Sequence, residues 1–405
     1  MSLQGTEIKT LDEEAITNFR EYLKIPSVHP NVNYDKCVKF LQKQAQDIGL
    51  ACQTYSAVEG KPIVILTWLG TRCELPSILL NSHMDVAPVD EDKWTFKPFE
   101  GNMDETGNIY ARGSQDMKSV GIQYIEAIKR LKRNGLKLKR TIHLTFVPDE
   151  EIGGEDGMKN FVESDCFNEL NIGVAFDESM ASSSDEFILF FEERSIWQFH
   201  VHTSGVTDHT SNLVSNTAGG KMKYMLNKLL NFSKKERRKL LTDTRLIISD
   251  VTSIKLTVLK GAIQSNVLPS ELRATFDCRI PVTVDHDEWA GTLEKWCKEA
   301  GEGVWIEYKL KYSRVPLTNS DNTNPYRISL KEAADELNIR LSEMVCPGSS
   351  DAKYIRKAGL PVFGFSPINN TPLLSHGHDE YLNVKVFLNG VTIYCKIIEK
   401  IANME

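Results

Sequence analysis

The run Ile78-Leu79-Leu80-Asn81-Ser82-His83-Met84-Asp85 passes from apolar residues directly into a histidine and an acid. A short apolar run of this kind fits a strand buried on both faces of a sheet, with the polar residues lying just beyond its carboxyl end. The pattern repeats: Thr141 to Val147 leads into Pro148-Asp149-Glu150-Glu151, and Ile172 to Phe176 leads into Asp177-Glu178. Open α/β sheets bind their ligands beyond the carboxyl ends of their strands, so the histidine and the carboxylates are expected to collect in one place.

Further strands are predicted at Ile63 to Trp68 and Pro361 to Phe365. One helix is predicted from Thr10, with Ile16, Phe19 and Leu23 on its apolar face and Asp12, Glu13 and Glu14 in its first turn. Others run from about Tyr34 to Leu50 and from about Asp116 to Asn134, the latter stopped by Gly135. Short apolar runs alternating with amphipathic helices mark a mostly parallel sheet covered on both faces. Between about Phe191 and Tyr312 the rhythm becomes strand (Ile196 to Thr203), helix (Thr217 to Phe232), strand (Ser253 to Lys260), strand (Glu271 to Ile280), helix (Asp285 to Ala300) and strand (Val304 to Leu310). That order is βαββαβ. The expected fold is α/β: a mostly parallel sheet domain over 1–190 and 313–405, with a ferredoxin-like domain over 191–312 inserted into it.

At 405 residues the chain exceeds what one core usually supports, in keeping with two domains. Apolar content of 41%, charge of 25% and a formal net charge of -7 describe an ordinary globular enzyme. The dense basic cluster Lys129-Arg130-Leu131-Lys132-Arg133, with Lys137, Lys139 and Arg140, reads as the solvated end of a helix and the start of a strand, not as a nucleic-acid surface. Glu7, Asp12, Glu13 and Glu14 in an opening segment without an apolar core argue against a secretory signal or transit peptide, and no run approaches membrane-spanning length. The eight cysteines lack CxxC spacing, which points to reduced thiols and a cytoplasmic protein.

His83 and Asp85 form an H-x-D pair, a common arrangement in which a histidine at a strand end is usually structural. Asp116 stands where a helix begins and suits either an N-cap or a carboxylate that bridges two metal ions. Glu150 and Glu151 follow a buried strand and repel each other unless something positive sits between them; a metal would resolve that cost, and a solvated loop would avoid it. Either Asp177 or Glu178 suits a ligand role, with the other orienting it. His376 and His378, in His376-Gly377-His378-Asp379-Glu380, compete for one coordination place. Zinc takes neutral imidazole nitrogen and carboxylate oxygen, and a pair of such ions activates water against an amide, so the set reads as a two-zinc hydrolase. His143, inside a strand, reads as a core or edge histidine. His209, in Thr207-Asp208-His209-Thr210-Ser211, reads on its own as an ordinary surface residue.

Four strings carry a resemblance that extends over nearly the whole chain: Leu80-Asn81-Ser82-His83 with Asp85, Tyr110-Ala111-Arg112-Gly113 with Gln115-Asp116-Met117-Lys118, Thr145-Phe146-Val147-Pro148-Asp149-Glu150-Glu151, and Gly364-Phe365-Ser366-Pro367. They resemble the co-catalytic zinc peptidase family of carboxypeptidase G and succinyl-diaminopimelate desuccinylase. The resemblance implies two zinc ions per subunit, one held by His83, Asp116 and Glu178, the other by Asp116, Glu151 and His376. His376 is preferred to His378 because the family's histidine four residues before a glutamate maps onto His376 and Glu380. Asp85 would orient His83, and Glu150 would be the general base.

In that family the inserted domain is a lid that also mediates dimerisation, and a histidine matching His209 reaches the other subunit's site to stabilise the oxyanion. Asn266 and Arg279 resemble substrate-binding positions. Arg356 is a further candidate for the substrate carboxylate; otherwise each arginine is a surface ion pair. One departure stands out: the family's Gly-x-Pro-Gly-His-Ala-Ser is Gly205-Val206-Thr207-Asp208-His209-Thr210-Ser211 here, and Asp208 would oppose an oxyanion if it pointed into the site. The implied activity is hydrolysis of N-acyl-L-amino acids by a homodimer, with no nucleic-acid or membrane partner. A dipeptidase or carboxypeptidase on the same metals and a non-catalytic ligand-binding relative are the alternatives; the usual mark of the last is loss of the base or a ligand, and all are present.

Overall fold

Residues 5–261 and 264–404 are described by the computed structural model. The chain opens with α1 (Gly5–Leu23), α2 (Asp35–Ile48), β1 (Ala51–Val58), β2 (Lys61–Trp68), β3 (Ser77–His83), β4 (Asn102–Met103) and β5 (Asn108–Tyr110). It continues through α3 (Lys118–Arg133), β6 (Ile142–Val147), the short α4 (Asn160–Val162) and α5 (Asp165–Glu169), β7 (Ile172–Asp177) and β8 (Phe187–Glu193). Next come β9 (Ser195–Ser204), α6 (Ala218–Thr242), β10 (Ser253–Gly261), β11 (Glu271–Ile280), α7 (His286–Ala300) and β12 (Val304–Lys311). The chain closes with α8 (Pro325–Glu336), β13 (Leu341–Cys346), α9 (Ala352–Lys357), β14 (Val362–Phe365), β15 (Tyr381–Asn383) and α10 (Val384–Asn403).

These elements fall into two units. One comprises Met1–Phe191, Pro316–Met344 and Ser350–Glu405, the other Glu192–Val315 with Val345–Ser349. The large sheet has the order β1-β2-β6-β3-β7-β14-β8-β13. Its central strands β6, β3, β7 and β14 are parallel, while β1 pairs antiparallel with β2, β2 with β6 and β8 with β14. Every residue of β3, β6 and β14 is buried, which is why these strands read as continuous apolar runs. The polar residues within them are paired: Thr145 Oγ1 donates to Asn81 Oδ1 at 2.8 Å, and Asn81 Nδ2 donates to Asp177 Oδ1 at 3.1 Å.

Two expectations about α1 and α3 change together. α1 begins at Gly5, so Asp12 and Glu14 lie within the helix and not in its first turn. They meet the basic cluster of α3 instead, with Arg130 Nη2 2.6 Å from Asp12 Oδ1 and Lys129 Nζ 2.6 Å from Glu14 Oε2. The cluster is therefore partly buried against α1 and not a solvated helix end. Of the two readings of Asp116, the N-cap is not the one seen: α3 starts at Lys118 after Met117, with no side-chain cap bond.

In the second unit the sheet order is β10-β11-β9-β12, antiparallel throughout, and Met222, Met225 and Leu229 of α6 with Trp289 and Leu293 of α7 pack on Trp197, Phe199, Val201 and Phe276. This is the βαββαβ order expected. α6 runs on to Thr242, two to three turns past Phe232. Its charged extension holds because Glu236 faces inward and accepts from Thr252 N at 3.1 Å. Val345–Ser349 joins this unit through Arg194, whose Nε and Nη2 donate to Pro347 O at 3.0 and 2.6 Å, and through Ser249 Oγ, which donates to Val345 O at 2.6 Å. The range 191–312 leaves that segment out. Among the described residues no helix is long and apolar enough to cross a membrane.

Candidate active site

Three central strands deliver four side chains to one end of the large sheet. His83 closes β3, Glu150 and Glu151 form a tight turn three and four residues after β6, and Glu178 follows β7. Asp116 comes from the loop before α3 and His376 from the loop before β15. His83 Nε2 lies 3.1 Å from Asp116 Oδ1 and 3.7 Å from Glu178 Oε2. On the other side His376 Nε2 lies 3.1 Å from Asp116 Oδ2 and 3.0 Å from Glu151 Oε2. Two triads result, His83 with Asp116 and Glu178, and Asp116 with Glu151 and His376; within each the ligating atoms lie within 4.8 Å of one another. Asp116 faces each triad with a different oxygen.

The neighbours explain why these residues and not the alternatives converge. Asp177 is engaged elsewhere: besides Asn81 it accepts from Ser350 Oγ at 3.0 Å and Ala352 N at 2.8 Å. That leaves Glu178 to face His83. Gly364 lets β14 pass behind it, since an added Cβ would sit 2.4 Å from the Glu178 carbonyl oxygen. His376 adopts φ 62°, a costly conformation for a residue with a Cβ, and its loop is pinned by Gln115. Gln115 Nε2 donates to Pro372 O and Tyr381 O at 3.1 and 2.9 Å, and Leu374 N donates to Gln115 Oε1 at 3.0 Å.

Asp85 acts differently from the expectation. His83 Nδ1 donates to the Asp85 backbone carbonyl at 2.9 Å, while the Asp85 carboxylate is 3.7 Å away. The carbonyl thus fixes the tautomer that leaves Nε2 facing the triad. The carboxylate instead accepts from Glu150 N at 3.2 Å and Glu151 N at 3.0 Å, which holds the turn carrying both glutamates. Glu380, quoted in the sequence only as a pattern mark, is wholly buried and organises the Asp116 loop. It accepts from Arg112 Nη1 at 2.6 Å, Gln115 N at 2.6 Å and Asp116 N at 3.3 Å. A carboxylate four residues after a histidine signals nothing by itself, so sequence reasoning had no handle on this role.

Electrostatically the site is dominated by clustered carboxyls. Burial pushes the Glu150, Glu151 and Glu178 carboxyls above their ordinary range, Asp116 raises both Glu151 and Glu178 further, and the His83 charge opposes all three. Glu150 also stands in the field of Asp351, which raises it, and of Lys353, which lowers it. Hydrogen bonds to Asp116 and Glu151 lift His376 to about 10. Burial alone would lower His83, yet Asp116 and Glu178 hold it well above its usual value. Carboxylates crowd both histidines, and among the described residues Glu151 Oε1 is buried without a hydrogen-bond partner. Imidazole and carboxylate donors in two triads with a shared aspartate fit a pair of divalent ions.

In the second unit His209 is exposed, with Nδ1 2.8 Å from Ser211 Oγ. An isolated antiparallel bridge joins it to Val267, and Thr210 N donates to Asn266 O at 3.1 Å, so the His209 and Asn266 loops are neighbours. Asp208 is turned into its own loop, accepting from His209 N at 2.7 Å and Asn212 Nδ2 at 3.0 Å. Arg279 is paired with Asp277, which takes Nε at 2.8 Å and Nη2 at 3.3 Å. Arg356, in the first unit, is not brought to the triads. It is buried, donates to Thr318 Oγ1 at 3.2 Å and Val362 O at 3.0 Å, and lines a cavity with Gly173 and Pro361 at the opposite ends of β7 and β14. These contacts set Arg356 at the other end of the strands from the triads, away from the place expected for a substrate contact.

The model of peptidase family M20/M25/M40 matches residues 79–400. Aminoacylase-1A of Rattus norvegicus is 44% identical over 404 residues, 100% of this chain and 98% of its own. Aminoacylase-1 of Homo sapiens is 42% identical over 393 residues, 97% of this chain and 96% of its own. Among solved structures, an M20 family metallo-carboxypeptidase from Sulfolobus solfataricus superposes with a TM-score of 0.77 at 17% identity, covering 96% of this chain and 99% of that one, a likeness of fold. The chain belongs to peptidase family M20/M25/M40, and within it stands with the aminoacylases-1.

Proposed function

We propose that this protein is a metal-dependent amidohydrolase that cleaves N-acyl-L-amino acids to a carboxylate and a free L-amino acid, using two zinc ions per chain. The observation that carries the reading is Asp116, which offers one oxygen to each of two histidine and carboxylate triads beside the half-buried Glu150. His83, Asp116 and Glu178 would hold one ion, and Asp116, Glu151 and His376 the other. When bound, such ions polarise a carbonyl and lower the pKa of water to about 7. Glu150 takes the proton of the attacking water and passes it to the departing amine. Asp85 and Glu380 keep Glu150, Glu151 and Asp116 aimed.

His209 would donate to the developing oxyanion across a homodimer, with Asn266 beside it. Arg279 suits the substrate carboxylate, since Asp277 takes Nε and Nη2 and leaves Nη1. Support for the homodimer comes from β10, an edge strand with Leu256, Val258 and Leu259 exposed. Eight free cysteines support a reducing, cytoplasmic setting. The test follows hydrolysis of N-acetyl-L-methionine as metal is stripped and restored. Activity should vanish with chelation and return as two zinc ions per chain are added; activity indifferent to chelation would contradict the reading.

A further inference from the structure

Behind the Glu150–Glu151 turn lies a histidine that the mechanism above does not use. The segment from Ser27 to His29 is laced along Met84 to Val86: Ser27 Oγ donates to Met84 O at 2.6 Å, Val86 N donates to Ser27 O at 2.9 Å, and Val28 forms a parallel bridge with Val86. This fixes His29 against Asp85, with Nε2 3.0 Å from Oδ2, the oxygen that also accepts from Glu151 N. His29 Nε2 is also 3.7 Å from Asp149 Oδ1. Asp149 itself is anchored by Tyr34 Oη, which donates to Oδ1 at 2.6 Å, and by Lys61 Nζ, 2.5 Å from Oδ2.

The groups facing His29 are therefore Asp85, Asp149, Lys61 and Tyr34. The Asp85 hydrogen bond raises the imidazole above its ordinary value, burial opposes it, the Asp85 and Asp149 charges add to it, and Lys61 reduces it. Geometry alone sets the chain of contacts: His29 to the Asp85 carboxylate, and that carboxylate to the backbone N–H groups of the base and of a candidate ligand. Without a donor at His29, Asp85 Oδ2 keeps Glu151 N but loses the contact that sets its orientation from behind.

We propose that His29 is a positioning residue for this site: its Nε2–H holds the Asp85 carboxylate and thereby aims the turn that carries Glu150 and Glu151. The proposal rests on the hydrolase reading and deepens it, adding a third layer behind the candidate ligands. It acts through Asp85 and touches no reacting atom.

The experiment uses the full chain as wild type, His29→Leu and His29→Gln. Two quantities are read: kcat and KM for N-acetyl-L-methionine, and zinc affinity by competition with a chromophoric chelator. Supporting residues behind metal ligands are worth roughly 10–100-fold in affinity or activity. His29→Leu should lose that much in kcat and in affinity for the weaker-bound zinc, with KM within about threefold, as a positioning defect requires. His29→Gln, which keeps an N–H donor of similar reach, should restore both to within about threefold. A folded His29→Leu protein within about twofold of wild type in both quantities overturns the proposal, and so does a Gln variant as impaired as the Leu variant. Should His29→Leu fail to fold, the Gln variant decides: losses within about threefold support the proposal and larger ones overturn it. If wild type does not cleave N-acetyl-L-methionine, the hydrolase reading fails, and the zinc titrations of the variants still judge His29.

Discussion

The triads of the first unit and the His209 loop of the second are built on opposite plans. His83, Glu151, Glu178 and Asp116 sit at strand ends or on a loop clamped by Glu380, and the turn between Glu150 and Glu151 is held by Asp85. His209 stands exposed, held by Ser211 and a single bridge to Val267. The first arrangement is braced by buried contacts within its own unit; the second is held by its own loop and offers its side chain to solvent. A site that must hold crowded carboxylates needs rigid backing, since misplaced like charges are expensive. A group that donates to a transient oxyanion needs access more than anchorage.

That contrast can be broken at several points. The largest effect is expected from Glu150→Gln, which removes the base and leaves the triads intact: turnover should fall by about 10³ or more with zinc content unchanged. Loss of zinc along with activity would show that Glu150 belongs to the metal cage. Next, Glu380→Ala strips a buried partner from Arg112 and frees the Asp116 loop, at a cost of about 3–5 kcal/mol in denaturant unfolding. A loss under about 1 kcal/mol would mean the clamp is incidental.

A pH effect tests the rigidity of the strand leading to Glu150. Burial lowers His143 to about 4, against an unfolded value near 6.5, and its Nδ1 meets Thr67 Oγ1 at 2.9 Å. Above about pH 6.5 both states are neutral and nothing changes; as pH falls towards 4 the unfolded chain takes up a proton that the folded chain refuses. Stability should therefore drop by up to about 3 kcal/mol across that window, and His143→Asn should remove that part of the pH dependence. An unchanged profile in the variant would show that His143 is not buried as a neutral ring.

His209→Ala sharpens the other side of the comparison. It should cost about 10²-fold in kcat, the scale of a lost oxyanion donor, while leaving unfolding stability within about 0.5 kcal/mol. Mixing it with Glu150→Gln subunits should recover activity if the histidine acts across the dimer; verified mixed dimers with none would remove that role. The smallest effect is assigned to Asp208→Gly. Because Asp208 is turned into its own loop, kcat should stay within about threefold. A large gain would mean that the carboxylate reaches the substrate.

Much of this was legible in the sequence because buried parallel strands announce themselves as apolar runs, and the polar residues that follow must lie at their carboxyl ends. β11 falls at Glu271–Ile280, the range read from the sequence. β1 escaped because it is an exposed edge strand with no apolar face, and the short sheet β15-β5-β4 because strands of two or three residues carry no periodicity. The choice of Glu178 over Asp177 depends on contacts to Asn81, Ser350 and Ala352, far away in sequence. Arg356 packs against Thr318 and Val362 at the opposite end of the sheet, a contact that its neighbours in sequence do not announce.

The most direct test of the central claim is release of free amino acid from N-acetyl-L-methionine by the zinc-loaded protein, run beside an unblocked dipeptide at equal concentration. The account predicts preference for the blocked substrate. Preference for the dipeptide would contradict it and move the same metals and the same base to peptide hydrolysis.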